Sequence, residues 1–166
     1  MANSVDNDIM FLDPETAAAR KAAAANLQKY LIFMIHDEGS ADLKFGINAD
    51  YVVEIINSYT VTYLPMMPSY LRGVFNMRGQ ITPIMDFRMR LDKVPTTDGL
   101  LLILNYNDMQ LGVLVDAVDR MIDIDENTIT AVPAQSSQRF VSGMCTIPDL
   151  SGTMMVLSCE QLFAHE

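Results

Sequence analysis

The sequence repeats itself, and that duplication restricts the fold more than any single motif in it. Gly46, Asp50, Val52 and Ile56 recur as Gly112, Asp116, Val118 and Ile122, each 66 residues later. Thr60-Val61-Thr62-Tyr63-Leu64-Pro65 returns as Thr128-Ile129-Thr130-Ala131-Val132-Pro133 at an offset of 68. Leu71-Arg72-Gly73-Val74 returns as Val141-Ser142-Gly143-Met144 at 70, and Ile84-Met85 as Val156-Leu157 at 72. Small loop insertions produce such a slow drift, because loops absorb added residues far more cheaply than strands do. The chain therefore reads as two related β subdomains, about 29–98 and 99–163, with strand exchange between them allowed, inside one domain over 29–166.

The local patterns agree with β structure. From Lys29 the period becomes two: Tyr30 to Ile35 is a strand, His36 to Asp42 a polar turn, Leu43 to Ile47 a strand, and Asp50 to Ile56 another. Asn57 to Pro68 is a proline-stiffened loop. Arg88 to Leu91 reads as a short helical turn and Asp92 to Gly99 as a linker. Leu100 to Asn105 and Met109 to Val118 are strands around the turn Tyr106-Asn107-Asp108. Ahead of this, over 1–28, Asp13-Pro14-Glu15 has the form of an N-cap, a first-position proline and a first-turn acid. It opens a helix through Gln28 that contains seven alanines.

Between Gly73 and Phe87 lies a hairpin. Gly79-Gln80 suits a type II′ turn, which needs positive φ at its first central residue. That choice sets Arg78 opposite Ile81, Met77 opposite Thr82, Phe75 opposite Ile84 and Gly73 opposite Asp86. Phe75, Met77 and Ile84 then share a core face. Val74, Asn76, Arg78, Ile81, Pro83 and Met85 share a mixed face suited to contact. Pro83 has no N–H for a ladder, so this strand is expected at a sheet edge or a bulge.

Where the halves differ, function is sought. Asn76-Met77-Arg78-Gly79 faces Thr146-Ile147-Pro148-Asp149, which loses the arginine and the tight turn. Glu54 is matched by Arg120, so one equivalent site carries opposite charges. Asp86 follows a strand and precedes a helical turn, as an N-cap does.

Composition excludes several classes. A net charge of −10 opposes nucleic-acid binding, which needs clustered Lys and Arg. No stretch of roughly 18 apolar residues suggests membrane insertion. Asp6 and Asp8 stand where a signal peptide would be basic, so the expected compartment is the cytoplasm. Cys145 and Cys159 lack CxxC spacing and lie in apolar runs, as buried small hydrophobes do. Asp119, Asp123, Asp125 and Glu126 lack the glycine and ligand spacing of an EF-hand loop and read as a solvated strand face. His36 and His165 have no partner at ligand spacing. With no P-loop or dinucleotide fingerprint, no metal and no cofactor are expected. The 13 methionines read as core filler or as an adaptable docking surface.

Together, Glu54-Ile55-Ile56, Pro65 to Pro68, Gly73-x-x-Asn76-Met77-Arg78-Gly79-x-x-x-Pro83-Ile84-x-Asp86 and Gly112-Val113-Leu114-Val115-Asp116-x-Val118 resemble the CheW family of chemotaxis coupling proteins. The resemblance covers about Lys29 to Phe163. It implies a mainly β fold of two pseudo-symmetric five-stranded SH3-like barrels packed together, here with the additional N-terminal helix. It implies a non-catalytic adaptor that joins the cytoplasmic tips of methyl-accepting chemoreceptors to the regulatory domain of the histidine kinase CheA. Such an adaptor is recruited to membrane-associated receptor arrays. By position, Arg78, Glu54, Val52, Met77 and Asn76 are similar to receptor-binding residues of the family. Val132, Met144 and Ile147 are candidates for the kinase contact in the second subdomain. Gly73, Gly79, Asp86, Gly112 and Asp116 are expected to serve turns and caps. Met77 stands where leucine is usual, and Ser158 where an acid usually mirrors Asp86. A reading from another class, a small-ligand-regulated enzyme or sensor using the cleft between the barrels, stays open on the residues alone.

Overall fold

The apolar runs Tyr30–Ile35, Leu100–Leu104 and Leu111–Val115 are nearly continuous, as strands covered on both faces require. The structure, a computed structural model, describes residues 26–133 and 138–164. Its strands are β1 (Leu27–Ile35), β2 (Leu43–Asn48), β3 (Val52–Ile56), β4 (Leu71–Met77), β5 (Gln80–Asp86), β6 (Leu100–Tyr106), β7 (Met109–Val115), β8 (Ala117–Asp125), β9 (Thr130–Ala131), β10 (Val141–Thr146) and β11 (Thr153–Leu157). Short helices α1 (Phe87–Arg90) and α2 (Cys159–Phe163) follow β5 and β11.

Two sheets form, ordered β8-β1-β2-β11-β10-β9 and β3-β6-β7-β5-β4. The second order reproduces the first strand for strand, and the isolated Thr62–Val74 bridge stands in for β9. The parallel pairs also correspond: Val156 meets Gly46, and Ile84 meets Gly112. Both hairpins carry a bulge at the matched glycine, between Leu71 and Gly73 and between Val141 and Gly143. Each sheet nevertheless mixes the halves, since β1 and β2 pair with β8 and β11 while β3 and β5 pair with β6 and β7.

This exchange explains the apolar runs. Leu31, Phe33 and Ile35 point into a core shared with Met85, Leu102, Leu104 and Val113 of the other sheet and with Phe87 of α1. Tyr30 and Ile32 point the opposite way into a second core with Ile124, Met154 and Val156. On the far side, Leu101 and Ile103 join Phe75, Met77 and Ile84. Phe33, Phe45 and Phe87 meet at ring-centroid distances of 4.8–5.5 Å, and Phe140 lies 5.4 Å from Phe87. Each fully buried aromatic of this kind contributes about 1.5–3 kcal/mol.

Several expectations are corrected here. The hairpin turns at Arg78-Gly79, with φ 50 and 88, which is type I′ and matches the twist of the strands. Met77 therefore pairs with Gln80, Asn76 with Ile81 and Phe75 with Thr82, so each of these β4 residues meets a partner two positions earlier in β5 than the II′ register gives. β5 is an interior strand despite Pro83, because its parallel ladder to β7 begins only at Ile84. The strand over Met109 to Val118 ends at Val115, and a new strand starts at Ala117. The intervening Asp116 accepts hydrogen bonds from the His36 N–H and from Arg88. Ala49–Tyr51 is a turn of 3-10 helix, capped by Asn48. The first sheet has six strands because β9 counts as one. The N-terminal helix is not supported: Asn26 is in a turn, Leu27 and Gln28 belong to β1, and residues 1–25 lie outside the described residues.

Candidate functional site

A bulge between Val52 and Glu54 re-aims β3, as bulges commonly do beside functional surfaces. Glu54 then faces the β4–β5 turn, where its Oε2 lies 2.9 Å from Arg78 Nη2. The guanidinium side is 74% exposed and the carboxylate side 34%, so the pair is wet and adds little to stability. Asn76 Oδ1 accepts the Gly79 N–H at 2.6 Å and closes the turn. Met77 is buried beneath it in the inner core of that sheet.

These residues border a groove of about 540 Å³ whose other walls include Ile56, Tyr59 and Phe75. Tyr59 packs edge-on against Phe75 at 6.4 Å, and burial pushes its phenol pKa up. Of the five residues matched to receptor binding, Arg78, Glu54, Asn76 and Met77 come together on this groove. Val52 does not line it; it is half-buried against the core between the sheets. Tyr59 was missed, and its sequence signal is weak, one of two tyrosines in the loop Asn57 to Pro68.

The second half carries the reverse arrangement. Arg120 on β8, the counterpart of Glu54, pairs with Asp149 in the β10–β11 connection and with its neighbour Asp119. Hydrogen bonds from Ser151, more than Arg120, hold the Asp149 carboxyl below the usual range. In the first half the strand is anionic and the turn cationic; in the second the signs exchange. The offset of 66 pointed to Arg120, and the offset of 70 placed Asp149 in the matching turn, but neither paired the two.

Among the residues suggested for a kinase contact, Met144 is 43% exposed, Val132 is half-buried, and Ile147 is fully buried in the inner core of its sheet. A second groove, about 360 Å³ and mostly apolar, lies along Ile81, Pro83 and Met85 of β5 and reaches Met109 and Phe163. These three β5 residues are half of the mixed face read from the hairpin.

The turn and cap residues support this geometry. Asp86, fully buried, accepts from the Arg88 N–H that starts α1, from Arg72 at 3.0 Å, and from both the N–H and the hydroxyl of Thr96 at 2.9 Å. The supposed linker is thereby pinned to the sheet, and Arg88 adds a bond to the Val94 carbonyl. In the other half Ser158 replaces Asp86 and caps α2 by accepting the Gln161 N–H. Gly73, at φ 141, passes so close to the Thr62 carbonyl that an added Cβ would lie 2.4 Å from it. At Gly112 a Cβ would meet Leu101 at 3.1 Å.

The family model of the CheW-like domain matches residues 29–166. The chain belongs to the CheW-like domain family. It is 31% identical over 130 residues to a probable chemotaxis protein CheW of Rhizobium etli, covering 75% of this chain and 83% of that one. Against the chemotaxis protein CheW of Klebsiella aerogenes it is 26% identical over 143 residues, 84% and 83% of the two chains. The crystal structure of the scaffolding protein TtCheW from Thermoanaerobacter tengcongensis superposes with a TM-score of 0.72 at 25% identity, over 84% of this chain and 94% of that one. The CheW-like fold of this chain is thus mainly β and built of two sheets.

Proposed function

We propose that this chain is a non-catalytic chemotaxis adaptor that binds the cytoplasmic tips of methyl-accepting chemoreceptors and the regulatory domain of the histidine kinase CheA. Its sheets would then act as two SH3-like barrels, one offering the receptor surface and the other the kinase surface. The observation that carries this reading is the Glu54–Arg78 pair on the rim of a groove with aromatic and aliphatic walls, in a chain of the CheW-like family. A receptor tip is a helical hairpin. A helix laid along such a groove gains affinity from apolar burial and register from the charges. The exposed guanidinium supplies a charge-assisted hydrogen bond to a carboxylate or carbonyl on the helix.

Kinase binding is assigned to the second half, with Met144 as its exposed anchor, Val132 half-buried nearby in the chain after β9, and Ile147 contributing to the inner core of that sheet. The working location is the cytoplasmic face of receptor arrays; no helix among the described residues is long and apolar enough to cross a membrane. The enzyme reading is not favoured. Cys159, the side chain it would use, is buried, and burial pushes its thiol up to about 12, which keeps it protonated and unreactive at neutral pH.

Recovery of partners from cell extract tests the proposal. Wild type and Arg78→Ala are used as baits in parallel, with receptor and kinase scored separately. Wild type is expected to recover both, and the variant to keep the kinase while losing most of the receptor. Recovery of neither by wild type would reject the adaptor role.

A further inference from the structure

The turn between β4 and β5 has a rival in the same sequence. Gly79-Gln80 satisfies type II′ with glycine at the position that needs positive φ, and asks nothing unusual of Arg78. The turn adopted instead puts Arg78 itself at φ 50, a conformation that opposes any residue with a Cβ and persists only where neighbouring contacts enforce it. Asn76 supplies such a contact. Its Oδ1 accepts the Gly79 N–H at 2.6 Å. Had residues 76 to 78 stayed extended, as the rival turn requires, that amide would lie roughly 10 Å along the chain from the Asn76 Cα, out of reach of so short a side chain.

The other half provides a comparison. Thr146 occupies the place of Asn76, and the chain there leaves the tight turn for a longer connection between β10 and β11. The register of β5 is independently held on its other side by Ile84–Gly112, Met85–Val113 and Asp86–Leu114. The choice of turn therefore decides where β4 and Arg78 lie relative to a fixed β5. We infer that Asn76 is a positioning residue: it selects the I′ register and so delivers the Arg78 guanidinium to Glu54, instead of touching the partner itself. The functional half of this inference rests on the reading of Glu54 and Arg78 as receptor contacts; the structural half does not.

The test compares Asn76→Ala, Asn76→Asp and Arg78→Ala in the full chain, by amide exchange at Gly79 and by binding to a purified chemoreceptor cytoplasmic-tip fragment. Asn76→Ala is expected to speed Gly79 exchange and weaken tip binding by about five- to tenfold each, the factor that one such hydrogen bond commands. Asn76→Asp retains the acceptor and is expected to restore both. Unchanged Gly79 exchange in Asn76→Ala overturns the inference. So does normal tip binding in Asn76→Ala when Arg78→Ala binds weakly. If Gly79 exchange responds while neither variant alters binding, the positioning role stands and the receptor reading falls.

Discussion

Arg78 and Glu54 form an ion pair at 2.9 Å whose polarity is exchanged at the equivalent place in the other half, where Arg120 on the strand meets Asp149 in the connection. The pair is exposed, so its charge is available to a partner and contributes little to folding. Arg78→Ala is expected to change unfolding free energy by less than about 0.5 kcal/mol while weakening receptor-tip binding about tenfold, or about 1.4 kcal/mol. Titration calorimetry beside urea unfolding measures both. A large stability loss with binding intact would show Arg78 to be scaffold.

Asp86 is the opposite case, a carboxylate with no exposure that is held by Arg72, Thr96 and the start of α1. Asp86→Ala leaves those donors unmatched and is expected to cost about 3–5 kcal/mol, as breaking a buried ion pair does. Ser158→Ala at the matched position removes only a cap and should cost about 1 kcal/mol. Urea midpoints at constant m discriminate the two; equal losses would mean that the buried network contributes nothing beyond capping.

Gly73 and Gly143 occupy matched bulges but resist a side chain for different reasons. At Gly73 both φ 141 and the Thr62 carbonyl oppose a Cβ, whereas at Gly143 the obstacle is contact with Ile129 at 2.7 Å and the Thr130 carbonyl at 2.9 Å. Gly73→Ala is expected to lower stability by roughly 1–3 kcal/mol from backbone strain alone, and by more than Gly143→Ala, at a position that carries no positive φ and whose nearest carbonyl stands at 2.9 Å instead of 2.4 Å. Thermal unfolding of the two variants ranks them, and the reverse order would contradict this account.

Cys159 makes a pH dependence. Its thiol is raised from 9.0 to about 12 by burial, so between those values the unfolded chain releases a proton that the folded chain keeps. Stability is therefore unaffected below about pH 9 and falls as pH rises toward 12. Denaturant unfolding at several alkaline pH values should show a shallower decline for Cys159→Ala than for wild type. Parallel curves would refute the assignment. The thiol should also resist alkylation at pH 8 until the protein unfolds.

The duplication, the strand-rich character, the Asp86 cap and the opposite charges at Glu54 and Arg120 were legible in the sequence. Each depends on spacing within a half or on comparison of one half with the other, and local chain geometry acts at that range. The register of the β4–β5 hairpin was not legible. Gly79 serves either a I′ or a II′ turn, and the Asn76 side chain chose between them. Pro83 argued for an edge because a proline forbids a continuous ladder, yet the ladder to β7 simply starts one residue later. The break at Asp116 between β7 and β8 follows from bonds to His36 and Arg88, which are remote in sequence. By itself the sequence determined two copies of one β unit and the charge at their unmatched turns. Tertiary structure alone decided which strands sit beside which. Exchange of β1 and β2 between the sheets joins residues far apart in the chain, around a core that forms only when burial brings the two halves together. The Arg72–Asp86–Thr96 hub and the Arg120–Asp149 pair each lie within one half, but they join strands and loops whose approach is set by the folded sheets.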